Sequence, residues 1–139
     1  MSLGAISTRA VTNIIPGLAF APVDNENNIS LDSAVDGLTA KASGNQTNGT
    51  PITAKMSRFT TVATTDDSCV LPPSVPGLTL TILNSGVATL AVFPSPLGTT
   101  TEKINSGGAN ALYALTAGNS ATFKCYTAGQ WYVQQGALS

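Results

Sequence analysis

Gly77-Leu78-Thr79-Leu80-Thr81-Ile82-Leu83-Asn84-Ser85-Gly86 is the stretch that decides how the chain is read. Leu78, Leu80 and Ile82 fall on one side of an extended segment, with Thr79 and Thr81 on the other, and the run ends in turn formers. A period of two bounded by glycine and asparagine specifies a half-buried β-strand. Outward from it the pattern recurs over Arg58–Thr64, Ser68–Leu71, Thr89–Pro94, Ala111–Leu115, Ser120–Tyr126 and Gln130–Gln134. In the sixth of these seven runs Ala121, Phe123 and Cys125 point inward against Thr122, Lys124 and Tyr126. In the last, Trp131 and Val133 share a face opposite Tyr132. Asn84-Ser85-Gly86, Asn105-Ser106-Gly107-Gly108, Ala117-Gly118-Asn119 and Ala128-Gly129-Gln130 supply tight reversals. The five prolines at 72, 73, 76, 94 and 96 mark strand ends and edges. Short strands at this spacing predict an all-β fold, an antiparallel β-sandwich of jelly-roll-like or Ig-like type. Leu83-Asn84-Ser85-Gly86 and Ile104-Asn105-Ser106-Gly107 are read as two similar turns, not as a repeat.

Residues 1–56 read differently. Ile14-Ile15-Pro16-Gly17, Asn25-Glu26-Asn27-Asn28 and the run from Ser43 to Pro51 are loop formers, and Gly37 argues against a long helix over Ile29–Lys41. A short helix or two short strands fit that stretch. The expected organisation is an extended, mostly irregular N-terminal arm (1–56) joined to a β-sandwich module (57–139), the arm becoming ordered by lying on another surface. The apolar run Ala10–Val23 is interrupted by Thr12, Asn13, Pro16 and Gly17, and reads as mature chain rather than a signal peptide.

Composition excludes several functions. Charged residues make up 9% of the 139, against roughly 25% in ordinary soluble domains. From Ser68 to Thr101, and from Tyr126 onward, there is no charge. A net charge of -1 provides little self-repulsion, so close association with partners or with copies of the chain is tolerated. The six basic residues are scattered, which excludes a nucleic-acid interface, and no apolar run approaches the ~20 residues of a membrane span.

The chain contains no histidine. Ser-His and Cys-His nucleophile pairs are therefore absent, as is the commonest metal ligand. Asp66, Asp67 and Glu102 are the only acids after Asp36, and Asp66-Asp67 reads as a turn cap before a strand. Asp24, Glu26 and Asn28 alternate like calcium ligands, but Ile29 and Val35 stand where an EF-hand needs glycine and glutamate. No catalytic, cofactor or metal residue is assigned. Cys69 and Cys125 permit one disulfide at most, and in apolar strand contexts they read as buried free thiols. Asn45-Gln46-Thr47 and Asn48-Gly49-Thr50 fit the glycosylation pattern but carry little weight in a chain read as lacking a signal. Tyr126 and Tyr132, outward by alternation, are the candidates for stacking on sugar rings.

The C-terminal part also carries a family resemblance. Arg58-Phe59-Thr60-Thr61-Val62-Ala63-Thr64 opens it, followed by Asp66-Asp67-Ser68 and Val70-Leu71-Pro72. Gly77 to Gly86 and Leu90-Ala91-Val92-Phe93-Pro94 continue it. Ile104-Asn105, Leu115-Thr116-Ala117-Gly118, Ala121-Thr122-Phe123 and Gly129-Gln130-Trp131-Tyr132 complete it. In this order and spacing, over about residues 57–134, they resemble a module of tailed-phage virion proteins. It occurs in capsid decoration (cement) proteins and at the tips of tail fibres and tailspikes. The segments Ser95-Pro96-Leu97 and Thr99 to Lys103 depart from it by a longer connection. The resemblance implies a β-sandwich that forms a homotrimer on the outer capsid surface, binds the major capsid protein and stabilises the shell. The alternative it implies is a distal receptor- or carbohydrate-binding module of a fibre or tailspike, meeting a host surface glycan. The matched residues are core apolars and turn glycines, so no binding residue transfers. Met1 and the absence of a shaft favour decoration among these expectations.

Overall fold

A computed structural model describes residues 30–97 and 101–137, with side chains from Ser33 to Leu97 and from 101 to Gly136. Ten strands and no helix occur among them. They are β1 (Ser30–Thr39), β2 (Thr50–Pro51), β3 (Ala54–Thr61), β4 (Ser68–Val70) and β5 (Thr79–Asn84). β6 (Leu90–Phe93), β7 (Lys103–Ile104), β8 (Tyr113–Leu115), β9 (Asn119–Thr127) and β10 (Gln130–Ala137) follow. One sheet has the order β1-β3-β5-β9-β10-β7, the other β2-β4-β6-β8.

The architecture corrects the expected antiparallel β-sandwich. It is a β-solenoid of about four turns with mixed parallel and antiparallel pairing. Successive strands β1 to β6 alternate between the two sheets, so each coil lays its strands parallel on those of the previous coil. Met56 stands beside Thr81 and Phe59 beside Asn84 in one sheet, while Cys69 stands beside Val92 in the other. The chain then reverses: β8 runs antiparallel to β6 and β9 antiparallel to β5, making the fourth layer. β10 folds back on β9, and β7 adds in parallel at Gln130 and Trp131. Alternation tells which face of a strand is buried but not which strand lies alongside it, so the same seven runs fit either architecture.

Over its described part, residues 30–56, the expected irregular arm is corrected as well. Residues 30–56 form the first coil and enter the second, and the expected boundary at 56 falls inside β3. Ala40 and Ile52 belong to the same core as Phe59 and Trp131. Ile29–Lys41 holds one long strand rather than a helix or two strands. Register against β3 shifts around Gly37, which sits at φ +75°. The Asn25-Glu26-Asn27-Asn28 run, the Asp24 to Asn28 calcium-like fragment and the Ala10–Val23 segment lie outside the described residues.

Hydrogen bonding continues through the corners where strands end. Ala40 N–H donates to Thr61 O (2.9 Å), Ile52 N–H to Val70 O (2.9 Å) and Leu71 N–H to Phe93 O (2.9 Å). Val87 and Ala88 N–H both donate to Val62 O at 3.1 Å. That corner needs Gly86, because a Cβ there would stand 2.6 Å from the Val62 backbone nitrogen. The interior between the sheets holds Phe59, Leu80, Ile82, Phe123 and Trp131 from one side, and Cys69, Leu90, Val92 and Leu115 from the other. The inward residues read from β5, β9 and β10 are thus inward in the fold.

Trp131 is fully buried. Trp131→Ala is expected to lower stability by about 3–5 kcal/mol in urea titration, the cost of emptying a large aromatic site; unchanged stability would contradict the packing described.

Candidate functional site

Asp67 and Glu102, two of the acidic groups singled out in the sequence, are committed to the scaffold. Asp67 accepts from Ala63 N–H (2.7 Å), Thr64 N–H (3.2 Å) and the Thr64 hydroxyl (2.7 Å), tying the 62–67 corner. The Thr64 hydroxyl bond leads in holding its carboxyl below the usual range, against a smaller opposing effect of burial. Asp66 lies at the surface of the same turn. Glu102, 1% exposed, accepts from Ser74 N–H and Oγ–H at 2.8 Å each and from Trp131 Nε1–H at 3.3 Å. Ser74 Oγ in turn accepts from Gly129 N–H at 2.7 Å. These bonds join the proline-rich corner, the β9–β10 hairpin and the core tryptophan. A carboxylate so saturated with donors is a structural hub and has no room for substrate.

The thiols are also inert. Cys69 and Cys125 are free and buried, each in a different sheet. Burial pushes both thiols up, so the nucleophilic thiolate is suppressed. Asn45 and Asn48 fold on each other: Asn45 Oδ1 accepts from Thr47 and Asn48 N–H, and Asn48 Oδ1 from Asn45 N–H. Among the described residues no group of three His, Cys, Asp or Glu could hold a metal ion.

One feature open to a partner is the outer face of the β9–β10 hairpin. Ser120 pairs with Gly136, Thr122 with Gln134 and Lys124 with Tyr132. Because side chains alternate, these rungs and Tyr126 point away from Phe123 and Trp131. They line an open groove of about 670 Å³ that continues over the edge of β10 to Asn105. Tyr126 and Tyr132 meet edge-to-face, ring centres 5.7 Å apart and planes at 64°. Asn105 is spent on structure: its Oδ1 accepts from Val133 N–H at 2.9 Å, extending the short β7 along β10. Its φ of +52° suits asparagine.

The alternation over 120–134 therefore placed Tyr126 and Tyr132 outward, but their contact and the neighbouring Lys124, Thr122 and Gln134 were not assigned. The Ala128-Gly129 turn, with Gly129 at φ +87°, is the local signal that sets this register. Comparison of the chain with protein-family models, curated proteins and solved structures finds no match.

Two outcomes are expected. Glu102→Ala orphans the Ser74 and Trp131 donors and should cost about 2–4 kcal/mol in denaturant titration; a smaller loss than for Ser74→Ala would refute the hub. Thr64→Val should relieve the depression of the Asp67 pKa. A depressed carboxyl stabilises the fold above its unfolded value, 3.8, and that contribution fades as pH falls through the native value. The parent should therefore exceed the variant in melting temperature at neutral pH, with the gap narrowing in acid; a gap independent of pH would contradict the assignment.

Proposed function

We propose that this chain is a phage virion structural protein, a trimeric cement or decoration protein that binds the major capsid protein on the outer capsid surface and stabilises the shell. The reading rests on the resemblance over residues 57–134, without the sandwich that the resemblance implied. The observation that carries it is the outer face of the six-stranded sheet. Across four neighbouring strands Met56, Thr81, Thr122 and Gln134 form one uninterrupted row. On the next row Arg58 is followed by Leu83, Ser120 and Gly136, and its charge is met by Asp36 at 3.5 Å. Such a surface is broad, regular and poor in charge. It suits distributed contact with another protein, where no strong desolvation penalty opposes association. Threefold repetition would raise the attachment strength by avidity, each contact remaining weak.

A second reading is favoured by a separate observation, the Tyr126–Tyr132 groove. It would make the chain a distal receptor- or carbohydrate-binding module of a fibre or tailspike.

Light scattering behind a sizing column should give the mass of a trimer, and the protein should co-sediment with undecorated shells. A trimer that ignores shells would overturn the cement reading while leaving the second intact; a monomer that also fails to bind shells would remove the basis for the first.

A further inference from the structure

We propose that the groove on the outer face of β9–β10 binds a saccharide carrying a carboxylate, with Tyr126 and Tyr132 as the stacking platform and Lys124 as the partner of the carboxylate. This deepens the second reading and rests on it, independently of any capsid contact.

Tyr126 and Tyr132 are 68% and 47% exposed, a large aromatic area to leave in water beside the polar outward residues Thr122, Lys124 and Gln134. Held edge-to-face, they form a corner with two apolar walls, against which the C–H face of a sugar ring can rest. Tyrosine provides this area with few rotatable bonds to immobilise, so little ordering cost accompanies binding. Lys124 lies directly across the strands from Tyr132. Among the described residues it is the only ionic side chain lining the groove, and no described carboxylate accompanies it. The local field is therefore positive, which selects a ligand bearing negative charge beside its ring. One rung further, Thr122 and Gln134 add a hydroxyl and a primary amide, together offering donors and acceptors to sugar hydroxyls. Successive outward rungs lie roughly 7 Å apart along a strand. A volume of about 670 Å³ spanning them is ample for more than one ring.

Other occupants fit less well. A single cation cannot hold a phosphodiester backbone, which needs several. An apolar helix would need a continuous hydrophobic floor, whereas this floor is threonine, serine and glutamine. Strand addition needs an open edge, which β10 offers only past Val133, whereas Lys124 and Tyr132 stand where β9 and β10 are already paired to each other.

The test uses the full chain on an array of oligosaccharides, half carrying uronate or sialate carboxylates and half neutral with the same number of rings, followed by calorimetric titration of the best acidic probe. Binding of acidic probes at least tenfold tighter than neutral ones is expected. Tyr126→Ala should weaken it tenfold or more, and Lys124→Met should erase the preference for acidic probes. Both side chains are exposed, so the melting temperature should stay unchanged and separates lost binding from lost folding. Equal binding of neutral and acidic probes would overturn the inference while the carbohydrate reading stood. Binding to no probe, or binding unaffected by Tyr126→Ala, would overturn both.

Discussion

The structure depends on one constraint: every strand must bury one face, and each coil supplies two strands whose buried faces meet across a single interior. A coil by itself cannot exclude water from that interior, and stacking coils closes it from above and below. The parallel ladders β1-β3-β5 and β2-β4-β6 are the consequence, since equivalent strands of consecutive coils run in the same direction. The reversal at β8 and β9 ends the stack, because an antiparallel layer can pair with the last coil and then turn back as a hairpin.

Corners are where such a stack is weakest, for there the backbone leaves the ladder and its polar groups need other partners. A few side chains take over this task. Asp67 gathers the donors of one corner, and Glu102 joins another corner to the β9–β10 turn and Trp131. Asn84, fully buried, donates from Nδ2 to Ala88 O and Leu115 O and accepts from Gly86 N–H. It thereby links the third coil to the reversed layer. These residues use the chemistry that would serve an active site, but every oxygen is already occupied. With Cys69 and Cys125 buried in the core as well, these groups hold the coils together.

What remains for function is surface. The solenoid presents its six-stranded sheet as a broad outer face, and its few charges are paired or dispersed. The two proposed roles share part of that face: protein contact on the rows that run from Met56 and Arg58 across β5 to β9 and β10, and ligand contact on the tyrosines beside the far ends of those rows. Both are surface-recognition roles that a rigid scaffold serves by fixing side-chain spacing through the ladder.

The amino-acid sequence by itself determined the strands from β3 onward except β7, with β3 begun only at Arg58, together with the buried faces of β5, β9 and β10, the turns between strands, Asp67 as a turn residue and the cysteines as buried. Period-two alternation and turn chemistry are local, and each can be read within ten residues. β1 and β2 were obscured by Gly37 and by a loop-rich stretch around only two paired residues. The solenoid was decided only in the tertiary structure. Its period is not written as a repeat, because equivalent positions in successive coils carry different residues: Ser57 beside Ile82, and Phe59 beside Asn84. Interior packing fixes the sum of volumes across a layer rather than the residue at each site, so coils can stack without resembling one another. The groove follows the same rule. Outward tyrosines are legible from alternation, but the contact between Tyr126 and Tyr132 and the placement of Lys124 beside them depend on the β9–β10 register, which the folded hairpin sets.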